Sequence, residues 1–248
     1  MTTATLTVIR TATPTGMTMT DLSALQSARL LQLCSANLPV GGFSFSQGLE
    51  QAVERGWVNS AAALEEWLTV LLNGSVAHAD VPMLKLQYEA ISNNAADDFE
   101  NRDAWIAATR ESEEILLAEQ AMGKALKRLL KNLADKPEGT AADWVLTRNA
   151  DCFISQFALA AHLFDLDLPA CLSGYVWTLL DNQVAAGTKL IPLGQTDGQN
   201  LLFRLTRNIG DTLKIAAEVA PEDIGQSMPS LAMASAWHEQ QYSRLFRS

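Results

Sequence analysis

The side chains best placed to do chemistry fall in two stretches, Gly41-Gly42-Phe43-Ser44-Phe45-Ser46 and His238-Glu239 with Tyr242. A glycine turn ahead of a helix can cradle phosphate on its N–H groups. A nucleotide loop, however, follows its second glycine with Lys and Ser or Thr, and here Phe43 and Ser44 follow. A nucleophile elbow, G-x-S-x-G, requires glycine at position 46, which is serine. His238-Glu239 opens like H-E-x-x-H, but Tyr242 stands where the second histidine must be, so adjacent turns cannot grip one ion. His78 and His162 have no Cys or carboxylate at ligand spacing, and Cys34, Cys152 and Cys171 never form C-x-x-C. These spacings encode neither phosphoryl transfer, nor acyl transfer, nor metal-assisted hydrolysis.

What remains in the two stretches is structural and adhesive. Pro39, Gly41 and Gly42 stop one helix and allow a tight turn, and Ser44 with Gln47 has the S-x-x-Q spacing of a capping box. That box predicts a helix through Leu49, Ala52 and Val53, ended at Gly56. The segment Tyr242-Ser-Arg-Leu-Phe-Arg-Ser248 mixes aromatics, leucine and two arginines, the composition of an interface hot spot; a docked or frayed helix end is the alternative. Lys189, alone in an apolar stretch, either snorkels to the surface or meets a partner.

The elements that must carry these stretches are helical throughout. The first begins at a Thr20 or Asp21 cap, and another opens at Asn59 or Ser60 with Leu64, Trp67, Leu68, Leu71 and Leu72 on one face and a stop at Gly74. Asp80-Pro82 then reads as a new helix entry, and residues 104–134 as one long helix weakened only by Gly123. Residues 135–139 form a surface loop; stripes at Phe153–Phe164 and Leu172–Val184 follow, the second ending at Gly187. Thr188–Gln195 reads as an extended connector, Thr196 and Gln199 as another capping box, and Leu231 and Ala234 mark a final helix. With no alternating strand pattern, the fold class is all-α: a single compact domain of about ten helices over residues 21–236, after a flexible leader at 1–20 and before a tail at 237–248.

Composition narrows the partners. Among 248 residues, a net charge of −10 argues against nucleic acid, whose phosphates demand clustered Lys and Arg. No apolar run reaches the roughly twenty residues that span a bilayer, so no membrane partner is expected. Three scattered cysteines fit a reducing, cytoplasmic setting.

One likeness covers the chain from about residue 27 onward. Leu38-Pro39-Val40-Gly41-Gly42-Phe43-Ser44, Ser46-Gln47-Gly48-Leu49-Glu50, Gly56-Trp57-Val58, Arg110-Glu111 with Glu114 and Gly123, Gly187 with Lys189-Leu190, Gly194-Gln195, and His238-Glu239 with Tyr242–Ser248 together resemble the urease accessory protein UreF family. The resemblance implies an all-α homodimer that is not an enzyme and binds no cofactor of its own. Its implied partners are UreD (also called UreH), the GTPase UreG, which carries the Ni²⁺ and GTP, and apo-urease. Together they insert nickel into urease, with UreF recruiting UreG and influencing its GTP hydrolysis; a nickel-binding metallochaperone is the alternative. Carried over position by position, Phe43 and Arg244 hold the UreG-recruiting form, and Glu239, Tyr242, Arg244, Leu245, Phe246 and Arg247 belong to a tail that docks on UreD and orders there. Lys189 and Gln195 fall on a further partner surface, and Pro39, Gly41, Gly42, Ser44, Gln47, Gly48 and Glu50 form the structural motif.

Overall fold

The structure, a computed structural model, describes residues 22–133 and 138–247. The leader, the Thr20 and Asp21 caps, most of the 135–139 loop and Ser248 lie outside the described residues. Twelve α-helices are present among those described, with no strand: α1 Ala24–Leu33, α2 Leu49–Glu54, α3 Ala61–Leu71, α4 Val81–Ser92, α5 Ala96–Ala108, α6 Glu113–Asn132, α7 Thr140–Thr147, α8 Phe153–Leu163, α9 Leu168–Leu190, α10 Gln195–Leu205, α11 Ile209–Glu218 and α12 Pro229–His238. Two pairs run on without a break, α3 into α4 through a π-helical segment at Leu72–Asp80 and α10 into α11 through a 3₁₀ turn at Thr206–Asn208. Ten separate rods result, and the all-α expectation holds.

The core is built around α8, in which every residue except His162 is buried. A helix apolar on all sides needs neighbours on all sides. α4, α5, α6, α7 and α9 supply them. The closest approach is at Gly123 of α6, where any Cβ would run into the Asp151 carbonyl and the backbone entering α8. Gly123, a weak point by helix propensity, is thus what lets α6 lie against α8.

Local chemistry sets the boundaries, and several differ from expectation. α1 starts at Ser23, whose hydroxyl accepts from Gln26 N–H while Gln26 reaches back to Ser23 N–H, a complete capping box. Ser60 caps α3 as anticipated. Gly74 does not end that helix, because the backbone widens into the π segment and continues. Pro82 has no N–H for the His78 carbonyl one turn back, and Gly225 N–H takes that carbonyl at 2.9 Å. Asp80-Pro82 is therefore the inside of a rod rather than an entry.

The helix expected over 104–134 is two helices, broken at Thr109–Ser112; Ser112 restarts the second by accepting from Ile115 N–H. Gly187 lies inside α9, packed so closely against Leu64 that a Cβ would collide, and α9 runs on to Leu190. The connector shortens to Ile191–Gly194. α10 has no side-chain cap, so the Thr196–Gln199 box is not formed.

Candidate partner-binding surface

The 38–48 loop turns tightly on Gly41 and Gly48, whose φ angles of 76° and 82° carry the backbone through the left-handed region. Between them, Gly42–Ser44 makes one 3₁₀ turn that lifts Phe43 outward, 59% exposed, while Phe45 and Ser46 turn inward. Gly42 packs against Asn182 of α9, where a Cβ would come within 2.9 Å of the side-chain nitrogen. The expected Ser44–Gln47 capping box is not formed. α2 starts at Gly48, Gln47 itself has φ 49°, and its amide oxygen accepts from Gln183 Nε2 at 3.4 Å. Ser44 contributes its carbonyl instead, to Arg247 N–H at 2.9 Å.

That bond joins the loop to the far end of the chain. Residues 239–247 leave α12 and fold back over α2, held largely through their backbone. Glu50 of α2, buried, accepts Leu245 N–H at 2.7 Å on Oε1 and Phe246 N–H at 3.0 Å on Oε2. Arg244 places Nη1 2.8 Å from Glu114 Oε1 of α6 and gives its other donors to the carbonyls of Glu239 and Gln241. The segment expected to order on a partner is already bonded to its own chain.

Beneath the tail, His238 at the end of α12 is completely buried between two carboxylates. Its Nδ1 lies 2.7 Å from Glu114 Oε2 and its Nε2 3.0 Å from Glu50 Oε2. Burial raises the Glu114 pKa, against the pull of His238 and Arg244. Trp237 steadies the same helix end, its ring 5.6 Å from Trp57 and 4.3 Å beneath the Arg55 guanidinium.

Deeper in, a second ionic cluster backs the loop. Arg110, in the break between α5 and α6, reaches Asp80 Oδ1 and Glu119 Oε2, each at 2.7 Å. Tyr175 OH donates to Asp80 and Ile154 N–H to Glu119. Burial alone would lower the Arg110 pKa, but the two carboxylates carry it well above the usual value; burial also raises Glu119 and Tyr175. A cavity of about 70 Å³, bordered by Gly42, Phe45, Arg110, Tyr175 and Gln183, separates this cluster from the loop.

The residues singled out from sequence divide in two. Phe43, Ser44, Lys189, Leu245, Phe246 and Arg247 line one open groove where loop, tail and the end of α9 meet. Lys189 covers the buried Phe246 ring, Nζ 5.4 Å from its centre, while Leu245 and Tyr242 stand out into solvent at 74% and 106% exposure. Arg244 does not line that groove and is directed to Glu114. Glu239 caps α6 by accepting Glu113 N–H, and Gln195 opens α10, exposed and outside the groove.

Spacing in the sequence did not reveal that His238 pairs with Glu50 and Glu114, or that Asp80, Glu119 and Tyr175 gather around Arg110. One signal was present. Glu114 and Glu119 fall on the face of α6 that also carries Ala118, Met122, Leu126 and Leu130, and a carboxylate on a buried stripe requires a buried partner. Among the described residues, no group of three or more His, Cys, Asp and Glu side chains is arranged to hold a metal ion, and no helix is long and apolar enough to cross a membrane.

The sequence model of the UreF family matches residues 58–206. The chain is 42% identical to the urease accessory protein UreF of Teredinibacter turnerae over 90% of its own length and 99% of that protein's. It is 39% identical to the UreF of a Marinomonas species over 94% and 98%, and 39% identical to that of Alkalilimnicola ehrlichii over 90% and 96%. An all-α chain whose middle matches the family model, and about nine-tenths of which aligns with proteins of one kind, belongs to the UreF family of urease accessory proteins.

Proposed function

We propose that this chain is a cytoplasmic assembly scaffold, not an enzyme, for urease maturation: as a homodimer with UreD (UreH), it recruits the GTPase UreG and helps deliver Ni²⁺ to apo-urease. In this reading nickel is cargo, GTP and Ni²⁺ are held by UreG, and the scaffold also modulates UreG's GTP hydrolysis. The observation that carries it is the convergence of Phe43, Lys189 and the tail on one groove. Exposed Phe43, Leu245 and Tyr242 offer apolar area, and the bonds from Glu50, Glu114 and Ser44 fix where that area stands. Pre-organised aromatic and aliphatic anchors lower the ordering cost of association.

The test is co-expression with UreD, UreG and urease, followed by co-purification and urease activity. Deletion of residues 239–248 is expected to abolish retention of UreD, and the Phe43→Ala and Arg244→Ala variants to weaken retention of UreG while helical circular dichroism is unchanged. Full activation by the truncated chain would overturn the tail's role, and unchanged UreG retention in both point variants would overturn the groove's.

A further inference from the structure

We propose that His238 is the positioning residue of the tail: a doubly protonated imidazolium, clamped between Glu50 and Glu114, keeps both carboxylates in the orientation that holds residues 244–246 on α2 and α6. The inference stands without any partner, so it does not depend on the functional reading above.

Carboxylates accept only, and a neutral imidazole offers one N–H and one bare lone pair. Here both nitrogens of a fully buried ring face carboxylate oxygens at hydrogen-bond distance. A neutral ring would aim a lone pair at a carboxylate oxygen, two acceptors with nothing between them.

Charge gives the same answer. The charged groups turned toward this ring are Glu50 from α2 and Glu114 from α6; Arg244 of the tail sits on Glu114, and Glu239 lies near enough to act on it. With His238 charged, the four hydrogen-bonded members Glu50, His238, Glu114 and Arg244 sum to zero, as a buried cluster must approach. Moving the proton from the ring to Glu114 would leave Arg244 facing a neutral acid.

The coupling to the tail is direct, because the oxygens are shared. Glu50 Oε2 serves both His238 and Phe246 N–H, and Glu114 uses one oxygen for His238 and the other for Arg244. Loss of the ring's second proton turns one carboxylate away and loosens its tail contact.

The test uses the full chain with ¹⁵N-labelled histidine, which has only three rings to assign. At neutral pH the His238 ring is expected to show two protonated nitrogens, and a single-tautomer neutral ring would overturn the proposal. A second arm follows hydrogen exchange at Leu245 and Phe246 N–H at neutral pH. In His238→Gln their protection is expected to be lower by about tenfold or more than in the native chain. Native-like protection in His238→Gln would overturn the proposal even if the nitrogens were protonated. Should His238→Gln fail to fold, the native-chain signals decide alone.

Discussion

Glu114 and Glu119 stand on one helix, yet they serve clusters of opposite kind. Glu119 helps close a ring of fixed groups: Asp80 and Tyr175 come from rods already packed around α8, Arg110 from the short break between α5 and α6, and none of them holds a chain end. Glu114 shares in a cluster whose far members, Arg244 and the N–H groups that Glu50 receives, belong to nine residues with no helix of their own. Both are buried ion clusters in one core. The first joins helices that hydrophobic contact would hold near each other anyway, whereas the second fastens a segment with few apolar contacts. Similar chemistry thus sets stability in one place and position in the other.

The sharpest way to break this contrast is at Arg110. Replacing it with Met leaves Asp80 and Glu119 charged, buried and unpaired, which is expected to cost about 3–5 kcal/mol in urea unfolding. Tail amides in the folded fraction should keep their protection. A loss under about 1 kcal/mol would mean that the deep cluster is not what the geometry implies.

Glu50→Ala tests the other side. It strips acceptors from two tail N–H groups and from His238, with an expected global cost of about 1–3 kcal/mol, below that of Arg110→Met. Its larger effect should be local: trypsin cleaves after Arg244 at least severalfold faster than in the native chain. Equal cleavage rates would remove the distinction between fastening and folding.

The smallest effect concerns a second histidine. His162 is partly buried beside Tyr88, their rings 4.1 Å apart, and its Nε2 lies 3.0 Å from the Tyr88 carbonyl, with no carboxylate bonded to the ring. Burial depresses its pKa below the usual histidine value of 6.5. The unfolded chain then takes up the proton first, so the stability this group contributes is complete above 6.5 and is lost as pH falls through and below that value. In His162→Gln, the decline in melting temperature between neutral pH and pH 5 should be shallower than in the native chain. An identical decline would assign the acid sensitivity elsewhere.

Much of the fold was legible because helical periodicity is a local signal: Leu64, Trp67, Leu68 and Leu71 announce α3, and all are buried. The misreadings cluster where tertiary contacts override local preference. Gly74, Pro82 and Gly187 are breakers by propensity, but a widened turn, a carbonyl taken by Gly225 and a close approach to Leu64 keep them inside rods. The break at Thr109–Ser112 was missed for the opposite reason. No Gly or Pro marks it; within it Arg110 bonds Asp80 and Glu119, and Ser112 caps the helix that follows. In the candidate surface, the exposed anchors were legible from composition, whereas the pairing of His238 with Glu50 spans most of the chain and leaves no trace in spacing.

Glu50 and Ser44 grip residues 245–247 by main-chain N–H alone. Fastening and display are therefore separable: Leu245 and Arg247 can change identity without altering what holds them, provided neither becomes proline, which has no N–H to give. Such a segment can be re-specified for a different partner one side chain at a time, while its address on the scaffold stays the same.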